Sequence, residues 1–334
     1  MRPTSSLLAF GATLILAACG TNDKYPGAQR FAYVTNGVDP FWTIAEVGAK
    51  KAGDDLKVNV LVEMPAQGIS HQKQILEDLL TRGVDGIAVS PIDHLNQTEQ
   101  LDALAGKVTL ITHDSDAPNS KRVAFVGMDN YDAGRMAGEL VREALPQGGK
   151  VMLFVGRLEQ DNARLRREGL LDAILQRERD AERRDPPESV LAGAGFEVLG
   201  TRTDQFDKSV AKANAADALT AHPDLDGMVG LFAYNAPAIL EALKQAGKLG
   251  KVKVVGFDEA DGTLQGIVDG RVYGTVVQNP YDYGYKSVVL LAALKRGDKS
   301  LIGKNGRLEV PARQIRRDTV EAFWADLKRK LGKQ

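Results

Sequence analysis

The sequence repeatedly places one polar side chain at the end of a short apolar run. Residues 110–113 lead to Asp114, and residues 252–257 lead to Asp258. Two further apolar runs lead to Asn235 and Gln278. Helix-like stretches separate these runs, and strands that alternate with helices of about 10–15 residues are typical of βαβ units with a parallel sheet. Open α/β sheets bind ligands outside the carboxyl ends of their strands, so the pattern predicts a polar ligand at those ends.

The alternation of strands and helices occurs twice along the chain. The first series begins near residue 31, and the second begins near residue 123. The chain has 334 residues, which suits one large or two medium-sized domains and is ample for a sizeable core. We therefore expect two α/β lobes, whose strand order does not follow from the sequence. Residues 177–188 are strongly charged and end near two prolines, which predicts a solvated insertion in the second series.

The N-terminus has the pattern of an export signal. Residues 7–18 form an apolar run that is too short to span a bilayer but suits the core of a signal peptide. The run ends in Leu-Ala-Ala-Cys-Gly, which resembles a bacterial lipobox with cleavage before Cys19. The alternative is an ordinary cleaved signal with Cys19 at this place by chance. We expect a lipoprotein signal peptide at residues 1–18 and a lipidated cysteine with a tether at residues 19–29.

Composition and missing motifs argue against several classes of function. The net charge is −1, so nothing predicts a general affinity for nucleic acid. Four histidines and one cysteine provide few of the usual ligands for a metal site, and one cysteine cannot form an internal disulfide. The sequence has neither a phosphate-binding Gly-x-x-x-x-Gly-Lys loop nor a Gly-x-Ser-x-Gly nucleophile motif. We expect no cofactor, no metal and no catalytic residue.

Seven short motifs follow one another along the chain. They are Asp39-Pro40-Phe41-Trp42, Thr112-His113-Asp114, Asn162-Ala163-Arg164, Phe206-Asp207, Tyr234-Asn235, Val255-Gly256-Phe257-Asp258 and Val277-Gln278. In this order they resemble the motifs of type 1 periplasmic binding proteins of the ribose-binding group. The resemblance covers roughly residues 30–320 and implies an α/β fold of two Rossmann-like, doubly wound parallel-sheet lobes joined by a hinge. The expected N-terminal lobe comprises residues 30–128 and 279–308, and the expected C-terminal lobe comprises residues 129–278 and 309–334.

The resemblance also implies a set of ligand-binding residues. Carboxylates accept hydrogen bonds from two neighbouring hydroxyls, while amides and arginine donate back. Aromatic rings offer a flat surface to the apolar face of a sugar. The expected ligand-binding residues are Asp39, Phe41, Trp42, Asp114, Ser115, Arg164, Phe206, Asn235, Asp258 and Gln278.

Each of these residues also has a structural interpretation. Asp114, Asp258 and Asn235 could cap helices, the two aromatics could be core, and Arg164 could lie on a solvated face. Two positions depart from the ribose-binding pattern. Ser115 stands where ribose binders have an arginine, and an aspartate replaces the usual asparagine at position 39. Both changes remove donors or add acceptors, so we expect a hydroxyl pattern different from that of ribose.

Together these features predict the substrate-binding component of a sugar ABC importer. The protein is expected to capture a monosaccharide or related polyol by hinge closure and to present it to an ABC transporter permease. We expect an exported monomer in the periplasm or cell envelope, held to a membrane only by its lipid. Alternatives are a ligand-binding subunit for a chemoreceptor or sensor kinase, a binder of a furanosyl autoinducer, and an enzyme. A transcription regulator of the lac-repressor type would need a helix-turn-helix where this chain has its signal and tether.

Overall fold

The computed structural model describes residues 23–303 and 305–333. The predicted signal peptide and Cys19 lie outside the described residues. Two mainly parallel sheets, each with apolar cores, form the two lobes of the described chain. This arrangement confirms the predicted α/β fold. Within the described part of the chain, no helix is both long and apolar enough to cross a membrane.

The first lobe is built on a six-stranded parallel sheet. In spatial order its strands are β12 (Arg307–Glu309), β5 (Phe125–Gly127), β4 (Thr109–His113), β3 (Gly86–Val89), β1 (Arg30–Val34) and β2 (Asn59–Glu63). Its helices are α1 (Pro40–Leu56), α2 (Gly68–Thr81), α3 (Thr98–Ala105) and α9 (Pro280–Lys295). The sheet contains β1 to β5 and also β12. The lobe therefore combines an early part of the chain with a segment that comes after the whole second sheet except β13.

The second lobe is built on a seven-stranded sheet. In spatial order its strands are β13 (Arg313–Ile315), β11 (Gly274–Val277), β10 (Lys253–Phe257), β9 (Gly227–Gly230), β6 (Gly149–Val155), β8 (Phe196–Thr203) and β7 (Leu191–Gly193). Its helices are α4 (Asn130–Ala144), α5 (Asp161–Ile174), α6 (Lys208–Ala221), α7 (Asn235–Gln245), α8 (Asp261–Val268) and α10 (Val320–Lys330). The edge strands β7 and β13 run antiparallel to their neighbours, and the other pairs are parallel.

The chain passes between the two sheets at three places. These places lie between β5 and α4, between β11 and α9, and between β12 and β13. The first two crossings are direct continuations of strands whose carboxyl ends face the other lobe. Polar residues that follow strands in both lobes are therefore brought to the same interlobe region.

Glycines allow close helix crossings next to each sheet. In the first lobe, a Cβ on Gly284 of α9 would lie 1.9 Å from the Ala45 carbonyl oxygen of α1. In the second lobe, a Cβ on Gly134 of α4 would lie 2.1 Å from the Arg166 carbonyl oxygen of α5. No side chain fits at these distances, so both glycines are required by the packing. The tight α4–α5 contact fixes α5, whose side chains reach the interlobe region.

One surface segment agrees with the sequence-based expectation and one differs from it. Residues 177–188 form a loop in which no residue is buried, and Arg177 and Arg183 attach it to α5 by pairing with Asp172 at 2.8 and 2.6 Å. Residues 23–29, expected as tether, lie against the first lobe, where the backbone N–H of Tyr25 donates to Asn59 at 3.0 Å. Ion pairs and hydrogen bonds between residues that are distant in sequence cannot be predicted from local hydropathy.

Candidate ligand-binding site

A cavity of about 300 Å³ lies between the carboxyl ends of the two sheets. Small-molecule pockets span about 300–1,000 Å³, so the volume suits a small ligand. Side chains of both lobes line the cavity. Seven of the ten predicted ligand-binding residues are among them: Asp39, Phe41, Trp42, Asp114, Phe206, Asp258 and Gln278.

Asp114 is the carboxylate that the first lobe brings to the cavity. It follows β4 with a left-handed backbone (φ 57°) and is only 3% exposed. Its Oδ2 accepts hydrogen bonds from Ser90 Oγ at 3.1 Å and from Asn162 Nδ2 at 3.0 Å. Burial raises the pKa of Asp114, and the positive charge of Arg166 opposes the rise. The carboxylate is thus fixed by partners from both lobes before any ligand contact.

Asp258 is the corresponding carboxylate of the second lobe. It follows β10, also with a left-handed backbone (φ 67°), and is 3% exposed. Its Oδ1 accepts a hydrogen bond from Gln278 Nε2 at 2.5 Å. Burial raises the pKa of Asp258 to about 7, against the attraction of Arg166 and the hydrogen bond from Gln278. Each lobe therefore presents one buried carboxylate at the end of a central strand.

Arg166 ties the two carboxylates into one network. Its Nη2 donates to Gln278 Oε1 at 2.7 Å and lies 3.5 Å from Asp114 Oδ1. Its Nε donates to Asn130 Oδ1 at 2.9 Å, and the guanidinium lies 4.4 Å from the centroid of the Phe257 ring. Arg166 is only 1% exposed, so its charge acts on the cavity without bulk solvent around it.

Aromatic side chains line both sides of the cavity. In the first lobe, Phe41 and Trp42 meet edge to face with centroids 4.8 Å apart. In the second lobe, Phe206 stacks on Phe232 with centroids 5.4 Å apart. The polar network lies at the strand ends between these two pairs. A ring-shaped ligand with apolar faces and a polar edge is chemically complementary to this arrangement.

Three predicted ligand-binding residues do not line the cavity. Arg164 points away and donates to the Ala181 carbonyl at 2.9 Å and to Asp161 Oδ1 at 2.8 Å. Asn235 lies behind the site, where its Nδ2 donates to Asp204 Oδ2 at 2.9 Å. Ser115 is fully buried beside Asp114 but is absent from the described lining. The side chain of Arg164 lies on a different side of α5 from the cavity. The side chains of Asn235 and Ser115 are buried behind the residues that form the cavity wall.

Asn235 nevertheless supports the aromatic side of the cavity. Asp204 accepts hydrogen bonds from Asn235, from the Tyr234 hydroxyl and from the backbone N–H of Phe206. Burial raises the pKa of Asp204, and these three donors oppose the rise. The carboxylate fixes the turn that holds Phe206 in a left-handed conformation (φ 67°). Asn235 therefore positions a residue of the lining rather than joining it.

Several residues of the lining were not predicted as ligand contacts. The spacing of three and four residues from Ala163 and Leu170 predicts that Arg166 and Arg167 are both buried, but it does not decide which of the two reaches the cavity. Residues on loops carried no comparable periodicity. The additional polar and aromatic residues of the lining include Asn36, Arg157, Gln160, Asn162, Arg166, Gln205, Lys208, Phe232 and Tyr234.

Charged residues also meet at the mouth of the cavity. Lys208 Nζ of the second lobe lies 3.2 Å from Asp39 Oδ2 of the first lobe. The same aspartate caps α1 by accepting from the backbone N–H of Phe41 at 3.1 Å. With Asp114 and Asp258 balanced by Arg157 and Arg166, the lining carries three acidic and three basic side chains in all. This balance favours an uncharged ligand.

A model of the periplasmic binding protein domain matches residues 31–299, most of the chain. The chain belongs to the periplasmic binding protein family. Proteins of this family are exported and bind solutes.

Relatives of this periplasmic binding protein include sugar-binding proteins. The ribose import binding protein of Salmonella typhimurium is 27% identical over 78% of this chain and 82% of its own. The D-ribose/D-allose-binding protein of Pseudomonas aeruginosa is 25% identical over 91% of this chain and 96% of its own. A solved ABC transporter solute-binding protein from Burkholderia graminis, in complex with D-arabinose, has a TM-score of 0.78 and 27% identity over 87% of this chain and 96% of its own.

Proposed function

We propose that this periplasmic binding protein captures a monosaccharide or related polyol and presents it to an ABC transporter permease. One observation carries the proposal: Asp114 and Asp258 come from opposite lobes, follow equivalent strand ends and face one cavity flanked by aromatic rings. A carboxylate accepts hydrogen bonds from two hydroxyls, and aromatic rings cover the C–H face of a sugar. The names of the relatives support the same class of ligand.

The proposed ligand contacts are the predicted residues that line the cavity together with Arg166. Asp114 and Asp258 accept hydroxyl hydrogens, and Arg166 and Gln278 hold the two carboxylates and donate to the ligand. Phe41, Trp42 and Phe206 pack on the ring. We assign no ligand contact to Arg164, Asn235 or Ser115, because their side chains are engaged or buried away from the cavity.

Binding is proposed to close the lobes about the chain crossings. The structure already contains contacts between the lobes, such as the hydrogen bond from Asn162 to Asp114 and the ion pair of Lys208 with Asp39. A ligand that bonds to both carboxylates adds to these contacts and shifts the population toward the closed form. No bond of the ligand is made or broken in this proposal, so the protein acts as a binder rather than as an enzyme. The import proteins among the relatives favour a permease over a chemoreceptor as the partner.

A ligand screen by thermal unfolding tests this function. We expect one or a few of D-ribose, D-allose, D-arabinose, other hexoses, deoxysugars and inositols to raise the unfolding midpoint of the protein starting after Cys19. A ligand at a hundred times its dissociation constant stabilises by about 2.7 kcal/mol. At about 2–4 °C per kcal/mol for domains of 150–250 residues, the midpoint should rise by several degrees. No shift with any sugar, in folded protein stripped of bound ligand by unfolding and refolding, would contradict the proposal.

We also propose that the mature protein is a monomer held to a membrane by lipid on Cys19. Expressed in a bacterium, the full chain should incorporate radiolabelled palmitate and partition into the detergent phase of Triton X-114. The Cys19→Ser variant should lose the label and move to the aqueous phase, since a serine cannot form the thioether. Ligand binding by both forms provides the control for folding. Label retained in Cys19→Ser would refute the anchor.

A further inference from the structure

Gln160 is a buried glutamine whose side-chain amide has no hydrogen-bond partner among the described residues. It lies between β6 and α5, is 0% exposed, and lines the interlobe cavity. Neither Nε2 nor Oε1 is paired. Buried polar groups are almost always hydrogen-bonded, so a residue of the cavity lining with neither amide atom bonded requires an explanation.

A structural role does not explain this amide. Gln160 occupies the N-cap position of α5, yet its side chain makes no capping hydrogen bond. Its backbone carbonyl accepts from Arg164 N at 3.1 Å, so the backbone alone serves the helix. The helix start would therefore be preserved with an apolar side chain of similar length.

Other buried glutamines in the described chain are well bonded. Gln72 Nε2 donates to the Thr35 and Ser90 carbonyls at 2.7 and 2.8 Å. Gln97 Oε1 accepts from two backbone N–H groups, and Gln278 bonds at both ends of its amide. Gln160 is the exception among these four, and it shares the cavity wall with Asn162, two residues further on.

We propose that Gln160 is a specificity-determining ligand contact. Its Oε1 accepts from one hydroxyl and its Nε2 donates to a neighbouring hydroxyl, so the amide recognises a pair of adjacent hydroxyls on the sugar. This inference rests on the proposed function. Asp114 and Asp258 bind hydroxyls at the strand ends, whereas Gln160 recognises a pair at the start of α5. A site built to bond a hydroxyl rejects an analogue that lacks it, because the amide is then left unpaired.

The test compares a sugar with its monodeoxy analogues. Gln160→Met removes the amide with little change in shape, and Gln265→Met is the matched control, since Gln265 is exposed on α8 and pairs with Asp269. Calorimetric titrations use the sugar of the thermal-unfolding screen that binds the wild type most tightly, and each available monodeoxy form of that sugar. We expect Gln160→Met to bind the parent sugar at least about tenfold more weakly, which corresponds to one or two neutral hydrogen bonds. We expect unchanged affinity in Gln265→Met.

The decisive outcome is the pattern over the analogues. The wild type should reject one deoxy form, and Gln160→Met should bind that form as well as the wild type does. The ligand-free unfolding midpoint of Gln160→Met should equal or exceed that of the wild type, because an unpaired buried amide has been removed. Unchanged affinity for the parent sugar, or an equal loss for all analogues with a lowered midpoint, would overturn the inference alone. A wild type that binds none of the sugars of the thermal-unfolding screen would overturn the proposed function and the inference together.

Discussion

Replacing Asp258 by asparagine is expected to lower the affinity for the sugar by about 10²–10⁴-fold. A hydrogen bond to a charged group contributes about 1.5–3 kcal/mol, and we propose that this carboxylate accepts two. Asparagine keeps the shape and tolerates the left-handed backbone at φ 67°, whereas alanine would add backbone strain. Calorimetric titration of Asp258→Asn with the sugar found in the ligand screen measures the effect. Full affinity in the variant would refute the assignment of the site.

The stability of Asp258→Asn provides the control for folding, and its pH dependence has a definite sign. Burial raises the pKa of Asp258 to about 7, so the folded chain holds the proton more tightly than the unfolded chain. The stability that the proton provides is complete below about pH 4 and is lost as the pH rises through about 7. The ligand-free variant should therefore unfold at a higher temperature than the wild type at pH 8, and the difference should shrink towards pH 4. A variant that is less stable at pH 8 would contradict this view of the carboxylate.

Replacing Arg166 by alanine is expected to abolish sugar binding and to destabilise the protein by about 3–5 kcal/mol, the usual cost of leaving a buried charge without its partner. Arg166 is held by Asn130, Gln278 and Asp114, and its loss leaves Asp114 without a compensating positive charge. Urea unfolding and calorimetric titration measure the two effects. Arg166→Lys keeps the charge without the planar fork, so it should fold and bind weakly.

Arg164→Ala is the matched control, because Arg164 lies two residues away on the same helix. Its guanidinium bonds to Ala181 and Asp161 outside the cavity. We expect its sugar affinity to stay within about twofold of the wild type, as for substitutions away from a site. A large loss in Arg164→Ala together with normal binding by Arg166→Ala would reverse our assignment of the two arginines.

The contrast between these two arginines shows what the sequence could predict. The strand-end residues Asp114, Asp258 and Gln278 were predictable, because an apolar run that ends in a polar residue fixes both the strand and the edge at which it stops. The two-lobe α/β fold followed from the same alternation and is confirmed by the structure. Periodicity and strand direction are local properties, so a single sequence expresses them.

The choice among Arg164, Arg166 and Arg167 depended on helix phase. These arginines are close in sequence, and α5 turns them toward different surroundings. Arg166 reaches the cavity, while Arg167 donates to Thr201 at 2.8 Å on another side. The helix face that is buried depends on how α4 crosses α5, which is a tertiary contact. Gln160 was missed for a related reason, since a loop residue has no periodic pattern.

The bonds of Arg166 also determine when its conformational entropy is lost. Asn130, the Leu231 carbonyl and Gln278 hold the guanidinium from within its own lobe, so these bonds do not depend on the position of the other lobe. Immobilising a long side chain costs about 1.5–2 kcal/mol in rotamer freedom. Here the side chain loses this freedom when the protein folds and not when the ligand binds. An arriving ligand therefore meets a donor that is already rigid, and more of its contact energy remains available to move the lobes together.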